Sequence, residues 1–156
     1  MPDFRAEITL ARPLVEVFDF FVRPANLLAI TPPEWKMRLV EAPERLHLGA
    51  RLVIESRRWG IPQRIISEVT EFEPNTFWTD TQRQGPFRKW AHTHRFESIP
   101  GGTRVIDLIE FEPPGGMLGL IITAGIVERE LQGLFAYRDA RLRKLLETTR
   151  DFDSRR

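Results

Sequence analysis

The sequence predicts an α+β domain in which one curved antiparallel sheet wraps around a long C-terminal helix. Three observations support this prediction. Apolar and polar residues alternate in residues 4–10 and again in short runs across residues 35–112, which is the period of half-buried strands. Turn signals separate these runs with no helical insert, so neighbouring strands are joined by hairpins. In residues 118–146 the apolar period becomes that of a helix.

The first elements follow from the positions of four prolines. Residues 4–10 form the first strand, because their alternate positions are apolar. Pro13 then opens a short helix that Pro24 ends, and a second short helix around residues 25–29 stops before Pro32 and Pro33. We therefore expect two short helices after the first strand.

Six further strands lie between residues 35 and 112, which makes seven with the first. The long C-terminal helix follows, and Gly119, Gly125 and Gly133 weaken it, so a break is expected in its first half. The stretch MLGLIITAGIV, residues 117–127, is interpreted as the apolar face that closes over the sheet. The alternatives are a mobile lid, a membrane contact or a contact with a second subunit.

Length and composition narrow the possible functions. The 156 residues suit one domain, which we assign to residues 1–150, with a charged tail at 151–156. A net charge of +1 indicates neither nucleic acid nor an anionic membrane as partner. There is no cysteine, which excludes disulfides and thiolate metal sites. The N-terminus does not resemble a signal peptide, and the apolar stretch is too short to span a membrane, so we expect a cytoplasmic protein.

The segment WAHTHRF contains two of the three histidines. In a strand, Trp90, His92, His94 and Phe96 share one face. The aromatic residues make this the inward face, so two imidazoles are expected on the apolar side of the sheet.

The neighbouring strands supply carboxylates to the same face. If the hairpin loop at Gly85 has three residues, the pairs Gln82–Trp90, Asp80–His92 and Trp78–His94 are expected. The next hairpin sets Asp107 across from His94. The candidate site residues are Trp78, Asp80, Gln82, Trp90, His92, His94 and Asp107.

Three interpretations of this cluster remain open. It is a structural network inside the core, a polar anchor for a ligand in an apolar pocket, or an acid and base pair. A metal site is a weaker alternative, because the same groups satisfy one another, and we predict no metal and no cofactor. Arg58 is expected at the rim or surface, with an anionic head group as the alternative partner.

An ordered set of motifs resembles the SRPBCC family, also called START-like, whose members include polyketide cyclases and dehydratases. The match covers about residues 4–146. The matching motifs are VFDFF, NL, ITPP, D-x-Q before GPF, W-x-H-x-H-x-F, GGTRVID, FEPPGG before MLG, and LFAYR. The resemblance implies a helix-grip fold, with a cavity for an apolar small molecule.

Two functions follow from these expectations. The first is a binding or carrier domain for an apolar or aromatic molecule, lipid- or polyketide-like, whose polar end meets the Asp and His cluster. The alternative is an enzyme of cyclase or dehydratase type that uses His92, His94, Asp80 and Asp107 as acid and base. The expected partner is a hydrophobic small molecule, and a homodimer through an edge strand or the helix lid is left open.

Overall fold

The computed structural model describes residues 3–58 and 60–147. The charged tail predicted at residues 151–156 lies outside the described residues. Within the part of the chain that is described, no helix is both long enough and apolar enough to cross a membrane.

A seven-stranded antiparallel sheet forms the body of the molecule, in the order β1-β7-β6-β5-β4-β3-β2. Every pairing between strands from β2 onward joins consecutive strands, as the hairpin pattern predicted, and β1 returns to pair with β7. The strands are β1 (Asp3–Leu10), β2 (Arg38–Glu41), β3 (Arg51–Arg58), β4 (Ile61–Glu73), β5 (Phe77–Gln84), β6 (Lys89–Ile99) and β7 (Gly102–Glu112).

Two short helices follow the first strand, as predicted: α1 (Leu14–Phe21) and α2 (Ala25–Ala29). A single 3-10 turn, Pro33–Trp35, leads from them into β2. Phe18 of α1 is buried and packs edge-on against Phe72, Trp78 and Phe96 of the sheet. This contact fixes α1 over one end of the sheet.

The predicted long C-terminal helix is present and is interrupted near its start. The chain forms a short helix α3 (Gly116–Ile121), then α4 (Ala124–Leu142), and a final π-helical turn (Arg143–Glu147). Ile122 is buried to 1% exposure and leaves the helical conformation to reach the core. Thr123 then caps α4 by accepting a hydrogen bond from the Ile126 amide. The break lies in the first half, where the glycines predicted it.

The registers of β5, β6 and β7 confirm two of the expected cross-strand pairs and the partner of Asp107. Trp78 pairs with His94 and Asp80 with His92. Asp107 pairs with His94 on the other side.

The expected Gln82–Trp90 pair continues the observed register but lies one position beyond the last pair of the ladder. The β5–β6 ladder ends at Thr81 and Ala91, and four residues, 85–88, connect the strands where three were expected. The Gln82 side chain donates instead to the Phe87 carbonyl, at 2.7 Å. This side-chain hydrogen bond links the end of β5 to the loop beyond the last backbone pair.

Candidate functional site

A cavity of about 180 Å³ lies between the sheet and helices α1, α2 and α4. Its wall is mostly apolar, with a few charged and polar side chains that converge on it. Engineered cavities of roughly 150 Å³ enclose benzene, so the space suits one or two fused rings. The apolar wall includes Phe20, Leu27, Trp35, Ile65, Ile109 and Leu131.

Two histidines and two aspartates form a hydrogen-bonded cluster at the sheet side of this cavity. His92 Nε2 lies 2.7 Å from Asp107 Oδ1, and His94 Nε2 lies 2.9 Å from Asp80 Oδ2. The two bonds run diagonally, because the residues directly opposite each other are Asp80 with His92 and Asp107 with His94. His94 Nδ1 also comes within 3.1 Å of Asp107 Oδ1, which is ion-pair distance, but without the geometry of a hydrogen bond.

The strand alternation explains why these groups meet. His92 and His94 are two residues apart in β6, so their rings project to the same face and stack at 3.8 Å between centroids. The Trp78 ring stacks on His94 at 4.5 Å, and Phe135 of α4 lies 6.2 Å from His92. The imidazoles are therefore held between aromatic rings, with one aspartate on each neighbouring strand.

The two histidines differ in charge. Burial opposes protonation of His94, but its close contact with Asp107, its hydrogen bond with Asp80 and the charges of both carboxylates outweigh burial and raise the pKa of His94 to about 9. Burial lowers the pKa of His92, and the charge of His94 lowers it further, although Asp107 acts in the opposite direction. At neutral pH, His94 is thus protonated and His92 is neutral.

The aspartates are ionised. Burial by itself raises the pKa of a carboxyl group, but the hydrogen bond from His92 and the close contact with His94 hold the pKa of Asp107 well below its ordinary value. The pKa of Asp80 is lowered in the same way, mainly by His94, with a smaller contribution from Ser67. Each buried charge therefore has a partner of opposite sign or a hydrogen bond.

The cluster can do three things chemically. It can hold a polar group of a ligand, and the adjacent neutral and protonated imidazoles can serve as base and acid. Asp80, His92 and His94 also offer ligand atoms that lie within 4.8 Å of one another, a spacing that a metal ion can bridge. A metal ion would have to replace the hydrogen bonds that already join these side chains. The absence of a metal stays a prediction from the sequence.

Six of the seven predicted site residues line the cavity. Trp78 is buried to 2% exposure in the wall, and Trp90 packs against Phe87 at 4.7 Å. Gln82 lies at the edge of the cavity, and its amide nitrogen donates a hydrogen bond to the Phe87 carbonyl. Asp107 does not line the cavity and acts through the two histidines.

Two arginines of the wall were missed or misplaced by sequence reasoning. Arg58 was expected at the rim or surface, but it is buried to 8% exposure, bonds to Glu130 at 2.8 Å and lies over the Trp35 ring. Arg138 was not considered, although it stands three residues after Phe135 on the apolar stripe of the helix. A cation on that stripe was the signal that could have identified it.

A family model described as "Polyketide cyclase / dehydrase and lipid transport" matches residues 1–147. No curated protein matches the chain in sequence.

Solved structures share the fold at low sequence identity. TTHA0849 from Thermus thermophilus is 19% identical, with a TM-score of 0.65 over 90% of this chain and 97% of that one. CV1439 from Chromobacterium violaceum is 15% identical, with a TM-score of 0.69 over 90% and 96%. The major latex-like protein 151 from Panax ginseng is 14% identical, with a TM-score of 0.64 over 89% and 95%. The fold is the helix-grip fold that the resemblance implied, and the chain belongs to the polyketide cyclase/dehydrase and lipid-transport family of ligand-binding, START-like proteins.

Proposed function

We propose that this protein binds and carries an apolar or aromatic small molecule between the sheet and α4, with the polar end of the molecule at the His and Asp cluster. The observation that supports this proposal most is the cavity itself. A mostly apolar wall with a few convergent polar groups is the usual composition of a small-molecule site. The volume of about 180 Å³ favours a compact ligand over a long acyl chain.

The test measures the binding of monocyclic and bicyclic aromatic probes by thermal shift. Native mass spectrometry of gently purified protein then shows whether a molecule is already bound. Ile65 lines the cavity, whereas Ile66, the next residue of β4, points to the opposite face. We expect Ile65→Trp to fill the cavity and weaken probe binding at least about tenfold, whereas Ile66→Trp leaves it unchanged. Equal effects of both variants, or no stabilising ligand in the whole series, would contradict a binding cavity.

The alternative is an enzyme of cyclase or dehydratase type. The observation in its favour is the neutral His92 stacked on the protonated His94, since a base and an acid are then adjacent. Once a ligand is found, its turnover by the wild type is compared with that by His92→Gln and His94→Gln. Retained turnover with weakened binding would leave the carrier function alone.

Further expectations from the sequence accompany this proposal. Residues 1–150 act as one domain, and the protein works in the cytoplasm without a metal or cofactor. Its partner is a hydrophobic small molecule and not a nucleic acid. A homodimer would use an edge strand, β1 or β2, or the exposed face of α3, where Met117 and Leu120 are more than 80% exposed. Light scattering of the purified protein separates monomer from dimer.

A further inference from the structure

Arg138 is the basic group of the cavity that has no acidic hydrogen-bond partner among the described residues. Its side chain lines the cavity from α4, and its Cζ lies 5.2 Å from the centre of the Phe135 ring. The Nε group donates to the Ile30 carbonyl at 3.3 Å. Among residues 3–58 and 60–147, no acceptor takes a hydrogen bond from its two terminal amino groups.

The other charged groups of the wall are matched. In the wall, His94 bonds to Asp80, His92 to Asp107 behind it, and Arg58 to Glu130. Burial lowers the pKa of Arg138, while the charges of Asp107 and Asp80 act in the opposite direction through space, and neither carboxylate reaches it. Arginine keeps its charge under such conditions, so a half-buried guanidinium with free donors remains in the wall.

The position of Phe135 connects this guanidinium to the histidines. The Phe135 ring is near both groups. Its centre lies 5.2 Å from Arg138 Cζ and 6.2 Å from the centre of the His92 ring. A flat apolar ligand that packs against Phe135 would therefore lie close to both the guanidinium and the imidazole stack. The oxygen atoms of such a ligand can accept hydrogen bonds from the free amino groups of Arg138. The oxygens of Asp80 and Asp107 already accept hydrogen bonds from the imidazoles.

We propose that the ligand is a small aromatic or apolar monocarboxylate whose carboxylate oxygens accept hydrogen bonds from the terminal amino groups of Arg138. This proposal rests on the proposed binding function of the cavity, adds the chemical class of the ligand, and assigns its charged end to Arg138 instead of the His and Asp cluster. A carboxylate is the group that a planar guanidinium binds with two parallel hydrogen bonds, which a carbonyl or alcohol cannot match. The cavity volume limits the apolar part to one or two rings.

The experiment compares acids with their neutral amides, so that shape is constant and only charge changes. The probes are benzoate with benzamide and 2-naphthoate with 2-naphthamide, titrated against the full chain and followed by NMR of the backbone amides. Two variants are compared with the wild type. Arg138→Met removes the guanidinium, and Arg141→Met is the control, since Arg141 also donates its Nε to a carbonyl at the end of α2, that of Ala29 at 3.0 Å, but does not line the cavity.

We expect the wild type to bind at least one acid about tenfold more tightly than its amide, which is the ratio that one charge-assisted pair supports. Arg138→Met should abolish this preference and leave amide binding within about threefold, whereas Arg141→Met should change neither. Amide binding without any preference for the acid would overturn the carboxylate assignment and leave the cavity function intact. Failure of all four probes to bind would overturn both. Equal losses in the two variants would reduce Arg138 to a cap of α2 and overturn the assignment.

Discussion

The two charged regions of the cavity are built in opposite ways. The His and Asp cluster comes from three adjacent strands of one sheet, β5, β6 and β7, and its members satisfy one another at 2.7 and 2.9 Å. The arginine region joins strand β3 to helix α4 and is satisfied only in part, since Arg58 pairs with Glu130 whereas the Arg138 amino groups have no acceptor among the described residues.

This difference separates shape from selectivity. A cluster that is internally hydrogen-bonded is stable with or without a ligand, so it maintains the cavity wall. A half-buried guanidinium with free donors in the cavity gains acidic partners only when a ligand brings them. The most polar part of a site is therefore not the part that chooses the ligand, and substitutions in the two regions should have different consequences.

The largest expected effect comes from breaking the cluster at Asp107. Asp107→Asn removes a buried charge that faces both histidines, and it should lower the free energy of unfolding by about 4 kcal/mol. It should also shift the NMR titration of His94 toward lower pH. Urea unfolding and the histidine titration measure the two effects.

The control is Asp19→Asn, in which an aspartate paired with Arg23 and Arg45 is 45% exposed. A surface pair contributes less than about 1 kcal/mol, so this variant should remain near the wild type. If the two variants lost the same stability, or if His94 titrated unchanged, the cluster would not be the coupled unit described above.

The second prediction concerns pH and the charge of His94. Its pKa is raised to about 9 in the folded protein, so its stabilising contribution is complete below its ordinary value of 6.5 and is lost as the pH rises through 9. The loss should be on the order of 3 kcal/mol in the free energy of unfolding. His94→Gln should be less stable at pH 6 and show a flatter pH dependence.

Urea unfolding at pH values from 6 to about 9.5 measures this slope. His47→Gln is the control, because His47 is exposed, its Nδ1 lies 3.0 Å from the Leu48 carbonyl oxygen, and no carboxylate among the described residues bonds to its ring. A wild-type slope that survives in His94→Gln would assign the titration to another group.

The smallest effect tests the arginine region. Arg58→Met leaves the partly buried carboxylate of Glu130 without its partner and removes the contact with the Trp35 ring, so it should cost about 2 kcal/mol. Arg138→Met loses one hydrogen bond to a carbonyl and should cost less than about 1 kcal/mol. Thermal and urea unfolding compare them. If Arg138→Met lost more stability than Arg58→Met, the main role of Arg138 would be to stabilise the fold and not to bind a ligand.

Local sequence pattern predicted most of the fold and the strand side of the site. Alternation and turn chemistry are properties of neighbouring residues, so the seven strands, the two short helices and the inward faces of β5, β6 and β7 could be predicted from them. The loop between Gln82 and Lys89 could not, because a side chain, Gln82, closes it where a backbone pair was expected. The break at Ile122 also depended on a core that the local pattern does not describe.

The sequence by itself determined which residues share a face, because side chains alternate in every strand whatever the rest of the chain does. Only the tertiary structure decided which groups from distant elements meet. It paired each histidine diagonally with an aspartate, and it brought Arg58 and Glu130 together although 72 residues separate them. The tertiary structure also placed Arg138 in the cavity wall, because the packing of both surfaces sets the position of a helix over a sheet.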